Sequence, residues 1–359
     1  MIIPASAEVR TQLGPLLEAD LGELAGFISA QSGRDRASIE SHLRWFLLEN
    51  PARRPEDPVG FGLRSVDQLA GCILLSPQMF RFGCKDILLM GSSSFYVDEH
   101  YRGQGGRIFL QYCRLARQHP LFGTSANAEA AGLWKAAGAR PISFSEQEYL
   151  GILNWPPVAE ELAYRRDSSR AILRFAAGPA ATVASLLRPL KIDCSGATEL
   201  TVLSSAEQVS DLALPDCPAK LTAVRNSAYL QWRYFSGHDS TAALFAFRTC
   251  QPEREVLVTV NLRKRGYRGQ ISALNVLDVY PEISAQDWPG MVRALIARYR
   301  SLIDVVVLRN LSPELQTVFS ERNFQRREFD APIGWLLDKF NLLPASEHYI
   351  VPADGDGLI

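Results

Sequence analysis

Phe95-Tyr96-Val97-Asp98-Glu99-His100-Tyr101-Arg102-Gly103-Gln104-Gly105-Gly106-Arg107 runs from an apolar segment through glycines into an amphipathic one. The pattern predicts strand, glycine turn and helix, which is an anion-binding geometry. Glycines let the backbone approach a phosphate, successive N–H groups converge on it, and the positive end of the helix adds to the field. The turn follows the third strand of a predicted meander rather than the first strand of a parallel βαβ unit. Neither an acidic ribose reader nor a Lys-Ser/Thr pair comes after it, which disfavours the dinucleotide fingerprint and the P-loop.

Upstream, apolar periodicity predicts helices over 16–30 and 37–49, the second ended by Pro51, Pro55 and Pro58. Strands are expected at 59–64, 69–75 and 87–97. Downstream come a helix at 107–117, an extended piece at 121–124 and a helix at 129–137. Pro156-Pro157 and the small-residue stretch 176–185 are expected to form a crossover. The boundary is placed near 165, giving domains 1–165 and 166–359.

The second half repeats the first. His42-Leu43-Arg44-Trp45 aligns with Tyr229-Leu230-Gln231-Trp232 at an offset of 232 − 45 = 187, Val59 to Arg64 with Ala243 to Arg248 at 184, and Asn127 with Asn310 at 183. Between these anchors the element order recurs: strands at 255–263 and 270–279, a helix at 287–300, a strand at 305–308, and a helix from Pro313 capped by Ser312. One fold used twice is the expectation.

At the glycine turn the chain resembles the GNAT superfamily of N-acetyltransferases, whose signature is (Arg/Gln)-x-x-Gly-x-(Gly/Ala), commonly preceded by Val-x-Pro-x-Tyr. Val97, Tyr101, Arg102 and Gly105 match. Thr124-Ser125-Ala126-Asn127 resembles the family's Asn-containing strand end, and Leu133-Trp134-Lys135-Ala136-Ala137-Gly138 its Leu-Tyr-x-x-x-Gly-Phe segment. The resemblance implies an α/β fold of two GNAT-like domains, each a mixed, mostly antiparallel twisted sheet flanked by helices. It further implies an acyl-CoA, with acetyl-CoA the default. Pantetheine would run along Phe95 and Val97, pyrophosphate would lie on the turn formed by Arg102, Gly103, Gln104, Gly105, Gly106 and Arg107, and Asn127 would sit near the pantetheine arm.

The activity so implied is direct acyl transfer to an amine of a small molecule or amino sugar. The alternatives are an inactive CoA-binding or interaction module and an acyltransferase served by an acyl-carrier protein. Three departures bear on the chemistry. Arg107 stands where Gly or Ala is usual. Trp134 replaces a Tyr that often protonates the leaving thiolate, and is expected to be an aromatic wall. The strand Met90-Gly91-Ser92-Ser93-Ser94 lacks the usual Glu, leaving Ser93, Asp98 and His100 as the catalytic candidates. In the second copy Gln286-Asp287-Trp288-Pro289-Gly290-Met291 replaces the glycine turn. Pro289 has no N–H to offer, so this copy is expected to have lost CoA and to shape the acceptor site.

Tyr229 to Tyr234 reads either as a sugar-stacking platform or, at helical spacing, as interdomain packing. Arg263, Lys264, Arg265 and Arg268 flank glycines and read as a solvated hairpin end. Asp354-Gly355-Asp356-Gly357 lacks the further oxygens of a calcium loop. A formal net charge of −1 argues against nucleic acid as a partner, and 47% hydrophobic with 21% charged residues is globular composition. Six scattered cysteines without metal spacing point to a reducing compartment and no metal. No secretory signal or long apolar run is present, so a cytoplasmic protein without membrane insertion is expected. The oligomeric state is not readable from one chain.

Overall fold

The computed structural model describes residues 11–66, 68–166, 190–191, 199–210, 220–236, 241–250, 253–339, 343 and 348–351. The first half builds β1 (Thr11–Leu16), α1 (Leu21–Ser32), α2 (Arg36–Leu43), β2 (Gly60–Ser65), β3 (Gln68–Phe82), β4 (Lys85–Val97), α3 (Gly105–Cys113), β5 (Leu121–Gly123), α4 (Ala128–Ala136), β6 (Arg140–Pro141), β7 (Gln147–Ile152) and α5 (Trp155–Arg166). The second adds β8 (Leu200–Leu203), α6 (Ala206–Ser210), β9 (Leu221–Ala223), α7 (Ser227–Leu230), β10 (Ala242–Cys250), β11 (Glu253–Arg265), β12 (Ile271–Tyr280), α8 (Trp288–Tyr299), β13 (Val305–Arg309), α9 (Pro313–Glu321), β14 (Gln325–Glu328), β15 (Trp335–Leu337) and β16 (His348–Tyr349). Each expected core element is present. Ser312 caps α9 as expected, accepting from the Leu315 N–H.

Among the described residues there are two mixed sheets. One runs β1-β2-β3-β4-β5-β15-β6, with β9 on β3 and β16 on β9; the other runs β14-β7-β13-β12-β11-β10-β8. The sheets exchange strands. β7, from the first half, lies antiparallel to both β13 and β14 in the second sheet, while β15, near the chain's end, lies between β5 and β6 in the first. A division of the chain at 165 therefore does not divide the sheets.

The repeat is visible in detail. Trp45 and Trp232 both sit in π-helical turns, Arg44–Leu48 and Gln231–Phe235. Trp45 Nε1 donates to the Trp232 carbonyl at 2.7 Å and Trp232 Nε1 to the Trp45 carbonyl at 3.0 Å, with ring centroids 5.7 Å apart. Two equal elements related by an approximate twofold make such reciprocal bonds. Both indoles are buried in one core cluster drawn from the two halves. The segment 229–234 is thus interdomain packing rather than a sugar platform.

Four readings are corrected. Strands β1 and β7 were not foreseen, because Gly14, Pro15 and Gly151 interrupt their apolar patterns. Pro156 and Pro157 do not form a crossover but open α5, where the first turn tolerates missing N–H groups. Cys84 is disulfide-bonded whereas Cys72, Cys113 and Cys250 are free, so the inference from scattered thiols to a reducing compartment lapses; spacing along a chain does not report proximity in space. Arg263 and Arg265 belong to β11 and turn inward, leaving Lys264 and Arg268 exposed, because side chains alternate along a strand. The stretches 176–185 and 354–357 lie outside the described residues. No helix among the described residues is long and apolar enough to cross a membrane.

Candidate functional site

The first sheet opens where β4 and β5 part. These parallel strands pair at Met90↔Leu121 and Gly91↔Phe122 and not beyond. A groove of about 820 Å³ occupies the opening, with Ser92 to Val97 on one wall, Ser125 to Asn127 and Trp134 on the other, and Arg102, Gly105 and Gly106 at one end. Between β3 and β4, Cys72 pairs with Tyr96 and Leu74 with Ser93, so Ile73 alone faces Ser94 and Phe95. Ser94 takes a φ of 48°. A bulge of this kind removes backbone from the ladder and re-aims it, here at the groove wall. The bulge recurs in β12, where Leu277 is the extra residue between Val276 and Asp278, an offset of 277 − 94 = 183.

At the phosphate end, Asp98 caps a 3₁₀ turn, Glu99–Gln104, by accepting from the His100 N–H at 2.9 Å. The residue before α3, Gln104, makes no side-chain cap bond, and because α3 runs on from the 3₁₀ turn the Gly105 N–H donates to the Arg102 carbonyl. A Cβ added to Gly106 would meet nothing within 4 Å, and one on Gly105 would meet Val97 Cγ2 at 3.3 Å. Neither glycine has a positive φ. What their missing side chains provide is close approach to the helix end. The residues present therefore fit a pyrophosphate.

At the other end Trp134 is 2% exposed and stands edge-on to Phe109 and Tyr112, with centroids 5.2 and 5.8 Å away. Tyr112 donates to the Met90 carbonyl at 2.8 Å, and burial pushes its phenol well above the usual range. Burial likewise pushes the Cys72 thiol up to about 12. Both are packing groups held in their neutral forms.

Of the residues expected at the site, Ser93, Phe95, Val97, Arg102, Gly105, Gly106, Asn127 and Trp134 line this one groove. Asn127 also caps α4, accepting from the Ala130 N–H at 2.8 Å. Asp98, His100, Gly103, Gln104 and Arg107 are not in its lining. Asp98 serves as the cap, His100 is exposed on the 3₁₀ turn, and Arg107 donates to Thr11 Oγ1 at 3.0 Å and to Gln104 Oε1, which ties it to β1. His100 and Arg107 are exposed, whereas Asp98 also accepts from Nε2 of Gln31, a groove residue, at 3.4 Å. Sequence reasoning missed Gln31 and Glu129, which also line the groove. Glu129 stands two residues past the Asn127 cap and was detectable from that spacing; Gln31 arrives from a distant helix and was not.

The second sheet opens at the equivalent place, past Asn275↔Val307, but the space is about 330 Å³. Asp278 there is ion-paired to Arg225 at 2.5 Å, both 2% exposed, and Asn310 Nδ2 donates to the Ile350 carbonyl at 2.9 Å. Asn310 matches Asn127 in spacing without capping a helix. Asp287 stands at the start of α8 and accepts from the Cys250 N–H at 3.1 Å and the Ser284 hydroxyl at 2.7 Å, with Pro289 in the first turn. A carboxylate and a proline take the place of free amides. A third cavity, of about 340 Å³, lies between the sheets and shares Ser125 with the first groove.

No family model and no curated protein matches the sequence. Among solved structures, the chain is similar to a conserved Enterococcus faecalis V583 protein described as a probable N-acyltransferase, at 11% identity and a TM-score of 0.55, covering 91% of this chain and 72% of that one. It is similar to a GCN5-related N-acetyltransferase from Anabaena variabilis ATCC 29413, at 13% identity and a TM-score of 0.52, with coverage of 91% and 72%. It is similar also to the Saccharomyces cerevisiae N-myristoyltransferase solved with bound myristoyl-CoA, at 10% identity and a TM-score of 0.53, with coverage of 94% and 80%. At such identities the likeness is one of fold, and with the splayed strands, the bulge and the glycine turn in place the chain has the GNAT fold of these acyltransferases, built as two copies.

Proposed function

We propose that the protein is an acyl-CoA-dependent N-acyltransferase whose first copy holds the acyl-CoA and whose second copy shapes the acceptor site. The observation that carries this is the continuous groove from the uncapped start of α3 to the bulge in β4. The amides of Gly106 and Arg107 with the Arg102 side chain would hold the pyrophosphate, Gly105 would allow its close approach, and Phe95, Val97 and Asn127 would flank the pantetheine arm. Acyl-CoA supplies an activated thioester; the rest is positioning. The bulged backbone at Ser94 and Phe95 offers an N–H to the developing oxyanion, while the opposed walls hold an amine in line with the carbonyl. Phe109, Tyr112 and Trp134 fill the space beneath β5 against one another, which favours a short acyl group such as acetyl. With Asp98 and His100 outside the groove, Ser93 is the candidate that remains, as part of a water relay for the amine proton.

The test is calorimetric titration with acetyl-CoA and desulfo-CoA, followed by an amine screen with free-thiol detection. Binding lost in Gly106→Glu with an unchanged melting temperature is the expected result. Undiminished binding in that variant would sink the site.

A further inference from the structure

The cavity shared through Ser125 is not explained by CoA binding. Its walls are Thr124 and Ser125 from the end of β5, Asn261, Arg263 and Arg265 from β11, Asn275 from β12 and Arg309 from β13, closed by Phe329 and Ile333. No carboxylate among the described residues lines it. Behind it Glu148 of β7, with no exposed side-chain surface, is, among the described residues, the single acidic partner of Arg265 at 2.7 Å, Arg309 at 3.0 Å and Arg327 at 3.1 Å. Three guanidinium groups around one carboxylate leave a surplus of positive charge, partly desolvated, beside Arg263.

A second observation is independent of charge. Asn261 is 1% exposed; its Oδ1 accepts from Asn275 Nδ2 at 2.9 Å, but its own Nδ2 has no partner among the described residues. The buried Thr124 Oγ1 likewise has none. Orphaned polar atoms in a cavity wall are costly unless something occupies the cavity and pairs with them. Donors, hydroxyl and guanidinium groups converge here on a space suited to an oxyanion.

Resting on the acyl-CoA reading of the adjoining groove, we propose that this cavity is the acceptor site and that the acceptor is an amine bearing a carboxylate or phosphate. The anion lies against Arg263, Arg309 and Asn261 Nδ2, and the amine points past Ser125 to the thioester. The amine nitrogen bonds to the acyl carbon, the C–S bond breaks, and the proton lost by nitrogen ends on the CoA sulfur. The products are an N-acyl anion and free CoA.

The experiment uses the full chain with saturating CoA, so that the glycine turn is occupied before any anion is added. Thermal shift is read with N-acetylglycine and, separately, with inorganic phosphate. One of the two is expected to raise the melting temperature, which distinguishes a carboxylate from a phosphate. Arg263→Gln and the near-isosteric Asn261→Asp are expected to weaken that ligand at least about tenfold while leaving CoA affinity unchanged. Turnover with acetyl-CoA is then compared for glucosamine against glucosamine 6-phosphate and for amino acids against their amides, with the anionic member favoured. No shift with either anion, a shift that survives both variants, or equal turnover of the neutral members would overturn the proposal. Failure of CoA itself to bind would instead overturn the reading of the groove.

Discussion

Trp134 stands where a titratable Tyr is familiar in this fold, and its indole N–H donates hydrogen bonds without titrating usefully. Its contacts with Phe109 and Tyr112 make it a wall of the groove. Trp134→Tyr is therefore expected to keep both rate and CoA affinity. Trp134→Ala is expected to cost about 3–5 kcal/mol of stability and to lower the rate without a new inflection in the pH–rate profile. The cysteines give a simpler check. Cys72 is buried with its thiol held neutral, and Cys113 is buried with its thiol pushed up to about 11, whereas Cys250 is exposed. Timed alkylation of the native protein followed by mass spectrometry is expected to label Cys250 before Cys113 and to spare Cys72.

Among the elements, β7 carries the most consequential side chain outside the groove. Burial pushes the Glu148 carboxyl up, but the fields of Arg265, Arg309 and Arg327 outweigh burial and hold its pKa below the ordinary value of 4.5. A depressed carboxylate contributes stability that is full above its unfolded pKa and is lost as pH falls through the folded one. Melting temperature is thus expected to drop on acidification below about pH 4.5. Glu148→Gln is expected to remove that part of the drop and to lower stability at neutral pH by about 3 kcal/mol, since it leaves three arginines uncompensated. The same strand shows where the sequence was silent. A Glu in a strand next to Gln147 reads as an exposed polar pair; it is buried because arginines from β11, β13 and β14, more than a hundred residues away, converge on it.

At the scale of the molecule, the exchange of β7 and β15 makes each sheet depend on both halves of the chain. Calorimetry is expected to show one cooperative unfolding transition rather than two, and a fragment ending at 165 is expected not to fold, since it leaves β5 and β6 without β15 between them. Trp232→Ala, which removes half of the reciprocal indole bonds, is expected to lower that single transition as a whole. The local signals were legible in the residues themselves. Glycines at 103, 105 and 106 and the recurrence at offsets of 183–187 depend only on neighbours along the chain, and they gave the strand–turn–helix order and the duplication, while the resemblance of the motifs to the GNAT superfamily supplied the fold and the expectation that Phe95, Val97, Gly105 and Trp134 share one site. Tertiary structure alone decided which strands lie in which sheet, that His100 and Arg107 are exposed outside the groove lining, and that Asn261, Arg263 and Arg309 meet Thr124 and Ser125 around one cavity. The physical reason is that strand pairing and the convergence of like charges join residues far apart in sequence, whereas periodicity and turn chemistry act only over a few.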